Sequence, residues 1–258
     1  QGTQQNYSVP SSATFRNCVF TIFDSGSLQG EDLQDVAVII NVGGAIFDNC
    51  EFTNFTVDYD NYDYGDGSGG AVRMDCGALY IDRSKLTNIT VSRSTGSGSL
   101  YGAAIHIGSC YSTDVTIINT IIADNLVSYT ATSGFYTEIR GGAISSLASG
   151  GNVQLINSTV VNNKLSTTSG SQDGPIEGSA IFVGDWQDNG YSPHFTLFNS
   201  IVHGNSKVIN AGSGTEATTN DGQIYITDAN NDGVEAYASY SIIGGVNNIE
   251  GDEILNLE

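Results

Sequence analysis

The chain of 258 residues and 27.1 kDa carries 28 acidic against 8 basic side chains, a formal net charge of −20. That balance excludes nucleic acid and an anionic membrane surface as partners, since both need clustered Lys and Arg. The 39% apolar content is that of a globular chain, and no run of about 18 apolar residues is present to form a transmembrane segment.

Two short patterns alternate along the chain. An apolar–Asn–small–apolar pattern occupies 15–20, 47–52, 80–86, 117–122, 155–160 and 197–202, with a worn copy at 239–243. Between its copies lies a Gly-Gly-Ala-Ile-like pattern at 69–72, 102–105, 141–144, 178–181 and 221–224, with a degenerate forerunner at 38–40. The anchors of the first pattern are Asn17, Asn49, Asp82, Asn119, Asn157, Asn199 and Tyr240, spaced by 32 residues at the start and by about 42 near the end. A second Asn follows in four copies, at Asn88, Asn125, Asn163 and Asn205. Fixed strand motifs with drifting spacing mean a constant core and loops of variable length, which is a solenoid.

The strands are rich in Val, Ile and Thr, and no 3.6-residue apolar period is sustained. The expected fold is all-β, a right-handed parallel β-helix of about seven coils forming one domain over 1–258. Its N-terminal coil, 1–35, is degenerate and its last coil spans 221–250. Each residue then stacks on its equivalent about 4.8 Å away along the axis. Asn at a bend tolerates left-handed backbone angles, and Gly before the Ala-Ile strand allows a tight corner. Parity turns Val72, Met74, Ile105, Ile107, Ile181, Val183, Ile224 and Ile226 inward. It leaves Arg73, His106, Ser145, Phe182 and Tyr225 as an outward column on a flat face.

Gly-Gly-Ala-Ile strands combined with Leu155 to Asn163, Phe198 to Asn205 and the closing Tyr240 to Gly245 resemble the parallel β-helix repeat proteins of bacterial surfaces, including those called choice-of-anchor Q proteins. The glycine-rich strand is also similar to that of polymorphic outer-membrane proteins. The resemblance implies a secreted or cell-surface location and contact with polysaccharide. It carries little about activity, because one coil architecture hosts lyases, hydrolases, adhesins and spacers.

Cys18 and Cys50 share one repeat position in consecutive coils, and Cys76 and Cys110 share another. Each pair is a disulfide candidate in an oxidising compartment, or a pair of small buried thiols in the stack. Asp228, Asn230 and Asp232 alternate before Gly233, as oxygen ligands do in half of a calcium loop, although the twelfth position falls on Ser239 rather than an acid. Asp58, Asp60 and Asp63 form a second acidic run that calcium could neutralise, as could solvent.

Three functions follow from these residues. The leading one is a non-catalytic surface module that binds a polysaccharide or surface glycan, or mediates adhesion, through Phe182, Trp186, Tyr191 and Tyr225, whose rings can stack on sugars. The second is a polysaccharide lyase with Arg73, His106 and Tyr225 on the flat face. The third is ice binding, for which Thr21 and Thr53 begin a row that breaks at Leu86 and Ala123.

Overall fold

The computed structural model describes residues 12–21, 38–40, 43–59, 67–95, 98–108, 113–130, 138–148, 151–168, 174–184, 193–209, 211, 217–219, 222–227, 235–244 and 249–251. Within them the chain winds as a parallel β-solenoid with five walls of stacked strands. Wall one holds Ala13–Arg16, Gly43–Asp48, Gly77–Asp82, Thr113–Ile118, Asn152–Ile156, His194–Phe198 and Glu235–Ser239. Wall two holds Val19–Phe20, Glu51–Thr53, Lys85–Thr87, Ile121–Ala123, Thr159–Val161, Ile201–His203 and Ile242–Ile243. Wall three runs from Thr56–Asp58 through Thr90–Arg93, Leu126–Tyr129 and Lys164–Thr167 to Ser206–Ile209, onto which Ala217–Thr219 folds back antiparallel. Wall four has four two-residue strands, Gly67–Ser68, Leu100–Tyr101, Ile139–Arg140 and Ile176–Glu177. Wall five stacks Val38–Ile40, Val72–Met74, Ile105–Ile107, Ile144–Ser146, Ile181–Gly184, Ile224–Thr227 and Ile249–Gly251.

Four successive turns carry a strand in every wall, and partial turns extend the stack at both ends. The expectation of about seven coils counted the partial turns as whole. The sequence patterns mark walls one, two and five, which do reach seven strands, and are silent on the short strands of wall four. No helix among the described residues is long and apolar enough to cross a membrane.

Alternation builds the core. In Gly77–Asp82 and Thr113–Ile118 every second side chain is buried, and Leu79, Ile81, Val115 and Ile117 are almost without exposure. The eight inward residues expected on wall five are all fully buried or nearly so. Each such Val, Leu or Ile contributes about 2 kcal/mol of apolar burial. In the first turns the stack is aromatic, with Phe15 on Phe47 at 5.0 Å and Phe20 on Phe52 at 4.4 Å between ring centroids.

Three corners hold the turns in register. Between walls one and two a left-handed residue, with φ of 47° to 54°, sits at Asn17, Asn49, Arg83, Asn119, Asn157, Asn199 and Tyr240. Arg83 therefore replaces Asp82 as the third anchor, because Asp82 is the last residue of its strand, paired with Asp48 and Ile118. After each left-handed residue a small side chain turns inward. Ser84, Thr120, Ser158, Ser200 and Ser241 each accept the backbone N–H of the preceding turn through their hydroxyl oxygens.

Cys18 and Cys50 open that same column, and both are free thiols. Of the two alternatives open for this pair, the free thiols are the one present, and each thiol faces backbone carbonyls. The Cys50 thiol points to the carbonyls of Asp48 and Phe15, as the Ser200 hydroxyl does to those of Phe198 and Leu155. Cys18 points to the carbonyl of Arg16. Cys76, by contrast, is disulfide-bonded, and Cys110 lies outside the described residues.

Between walls two and three the left-handed residues are Asn54, Asn88, Asp124 and Asn162, with Gly204 continuing the column. The following position points inward and carries Phe55, Ile89, Asn125, Asn163 and Asn205. The second Asn of the repeat is thus two columns: Asn88 belongs to the exposed bend, whereas Asn125, Asn163 and Asn205 form a buried amide ladder. Asn125 donates to Asn163 at 2.8 Å, Asn163 to Asn205 at 2.8 Å, and Asn205 to Gln223 at 2.8 Å. At the corner between walls four and five Gly102, Gly141 and Gly178 have positive φ. A Cβ at Gly141 would lie 2.0 Å from the Ile144 carbonyl oxygen, so only glycine fits.

Candidate functional site

The outward column of wall five is in register as expected: Arg73 pairs with His106, His106 with Ser145, Ser145 with Phe182 and Phe182 with Tyr225. It is not an open face. His106, Ser145 and Phe182 are 4%, 0% and 1% exposed. The glycine corner folds wall four back toward wall five, so Tyr101 lies over His106 with ring centroids 5.2 Å apart. Phe182 stacks on the half-buried Tyr225 at 5.8 Å and carries the Arg140 guanidinium 4.6 Å from its ring centroid.

Arg140 is the centre of this corner. It donates from Nη1 to Glu138 at 3.1 Å and from Nε to Glu177 at 3.0 Å, while the Tyr101 hydroxyl donates to Glu138 at 3.2 Å. Sequence reasoning passed over Tyr101, Arg140 and Glu177, yet a signal exists: each stands immediately before a corner glycine. Burial, with the Arg73 cation nearby, drives the His106 pKa down from 6.5 to about 3. Among the described residues its Nδ1 and the Ser145 hydroxyl find no hydrogen-bond partner. Arg73 is half-buried and donates to Asp75 at 3.0 Å. Of the expected lyase group, register places Arg73 beside His106 but Tyr225 three strands further along, and the imidazole is neutral and covered where a base on an open face was expected.

The remaining expected site residues scatter. Trp186, Tyr191, Asp60, Asp63, Asp228, Asn230 and Asp232 lie outside the described residues, and Asp58 is exposed at the end of a wall three strand. Among the described residues no group of three or more His, Cys, Asp or Glu side chains could hold a metal. The threonine row on wall two runs through Thr53 and Thr87, with hydroxyls 3.5 Å apart, before Ala123 ends it. Leu86, expected to break that row, instead pairs with Phe52 and points into the core, so the break comes only at Ala123.

Exposed apolar side chains gather elsewhere. Phe198, Ile201, Tyr237, Tyr240 and Ile242 all belong to the last passes of walls one and two. Tyr240 is 80% exposed and meets Phe198 edge to face at 5.7 Å; Tyr237 is 43% exposed on the strand that pairs with that of Phe198. The other exposed large apolar side chains among the described residues, Val19, Ile46, Tyr80 and Ile121, lie on earlier passes of the same two walls. No family model matches the chain, and no curated protein or solved structure matches it either.

Proposed function

We propose that this chain is a non-catalytic, extracellular or cell-surface β-helix module that binds carbohydrate or mediates adhesion, akin to choice-of-anchor Q and polymorphic outer-membrane proteins. The observation that carries this reading is the exposed ring cluster of Phe198, Tyr237 and Tyr240 on the last turns. Aromatic faces stack on the apolar faces of sugar rings while neighbouring polar groups take the hydroxyls. Phe182, expected to do this, is buried, so the binding rings are its counterparts on wall one. A buried imidazole cannot reach a polymer, which favours binding over elimination chemistry. In this reading calcium occupies the acidic segments around Asp58 to Asp63 and Asp228 to Asp232 and stabilises the fold.

Affinity electrophoresis in gels containing a panel of polysaccharides tests the binding. The wild type is retarded by at least one polymer, and the double variant Tyr237→Ala/Tyr240→Ala migrates freely; equal retardation of both proteins would sink the reading. For calcium, thermal melts in millimolar calcium and in chelator are compared. An unchanged midpoint removes the metal from the proposal.

A further inference from the structure

We infer that the outer face of wall one is a lengthwise track for a neutral, extended linear polysaccharide, with Tyr80 and Tyr237 at its two ends. This rests on the carbohydrate reading above and adds the polymer's charge, direction and length. Wall one has some of the longest strands, up to six residues, and its outward positions stack rung on rung. One column reads Ile46, Tyr80, Thr116, Gln154, Thr196 and Tyr237 by direct pairing.

Tyr80 and Tyr237 are 37% and 43% exposed and stand four strand steps apart, roughly 19 Å at the spacing of paired strands. The rise of that ladder is close to the rise of one sugar in an extended β-1,4-linked chain, so successive rungs stay nearly in phase with successive rings. Between the two rings lie a hydroxyl, an amide and a hydroxyl, on Thr116, Gln154 and Thr196. All three are partly exposed and engage no other described side chain. The neighbouring corner differs. There the amides of Asn119, Asn157 and Asn199 are spent on one another and on Asp82.

The electrostatics select the polymer. The net charge is −20, and beside this column Arg16 and Arg83 are paired with Asp48 and Asp82. A polyuronate or sulfated chain would meet repulsion from that net charge. A neutral glycan meets none.

The test is isothermal titration with β-1,4-linked gluco-, manno- and xylo-oligosaccharides, as disaccharides and hexasaccharides, with polygalacturonate as the charged probe. Wild type, Tyr80→Ala and Tyr237→Ala are compared, folding being checked by far-ultraviolet dichroism. The track requires a hexasaccharide affinity that falls about tenfold or more in each variant. It also requires that Tyr80→Ala leave disaccharide binding at the Tyr237 end unchanged. Loss of hexasaccharide binding in Tyr237→Ala with no effect of Tyr80→Ala would overturn the track and leave the carbohydrate reading standing. Tighter binding of polygalacturonate than of any neutral chain would overturn the choice of polymer. A wild type that binds none of these probes would overturn the carbohydrate reading itself.

Discussion

At the scale of single residues, His106 ties stability to pH. Its folded pKa of about 3 lies below the ordinary 6.5, so on acidification the unfolded chain takes up the proton first. The sign follows: this residue's contribution is intact above about pH 6.5 and is lost progressively down to about pH 3, at about 1.4 kcal/mol per pH unit. His106→Phe keeps the stack on Tyr101 and removes the titration. The expected outcome is a shallower loss of stability for the variant across that window, read as the difference between urea midpoints of the two proteins; parallel pH profiles would exclude the assignment. Cys18 and Cys50 differ in the same environmental way. Burial raises the Cys50 thiol pKa above its ordinary value, and Cys18 is the more exposed of the two. Timed alkylation read by mass spectrometry is expected to modify Cys18 well before Cys50. The reverse order would contradict the described packing.

At the scale of the elements, corners rather than strands specify the fold. Asn163 is fully buried. Its Oδ1 accepts from the Asn125 backbone at 3.1 Å and from the Asn125 amide at 2.8 Å, and its own amide donates to the Ile122 carbonyl at 3.1 Å. Asn163→Ala strands several buried polar groups at once and is expected to cost about 3 kcal/mol or more. Asn157→Gly, at an exposed left-handed bend, is expected to be close to neutral, because glycine adopts that φ freely. Equal unfolding midpoints for the two variants in urea would show that the ladder contributes nothing. Gly142→Ala tests the corner of wall four, where a Cβ would lie 2.1 Å from the Ser179 carbonyl oxygen. Backbone there cannot yield cheaply, so soluble folded yield should collapse.

At the scale of the whole molecule, charge works against compaction. The 28 acidic side chains outnumber the 8 Lys and Arg by 20. That excess negative charge opposes the compact state by self-repulsion. Raising monovalent salt from about 10 mM to about 150 mM shortens the Debye length from about 30 Å to about 8 Å. The melting temperature is expected to rise over that range, and a fall on adding salt would place the dominant charge interactions among attractive pairs. Each turn contacts only its neighbours, so hydrogen exchange should be fastest at the partial end turns and slowest in the four complete ones.

Sequence alone determined the architecture, because a solenoid writes its geometry as repetition. The Gly-Ala-Ile copies located wall five and the left-handed glycine corner, and the Asn copies located the bend between walls one and two, since only a few residue types tolerate those backbone angles. Parity along the wall five strands separated core from outer column residue by residue. The tertiary structure decided what lay over that column. No local pattern states that Tyr101 stacks on His106 or that the Arg140 guanidinium lies over Phe182; those contacts are set by the folded chain. Register decided the rest. Reading Asp82 for Arg83, and merging Asn88 with Asn125, are one-residue slips that a drifting repeat permits and backbone pairing forbids. The ring cluster of Phe198, Tyr237 and Tyr240 was equally hidden, because exposure depends on what neighbouring walls leave uncovered rather than on the residues themselves.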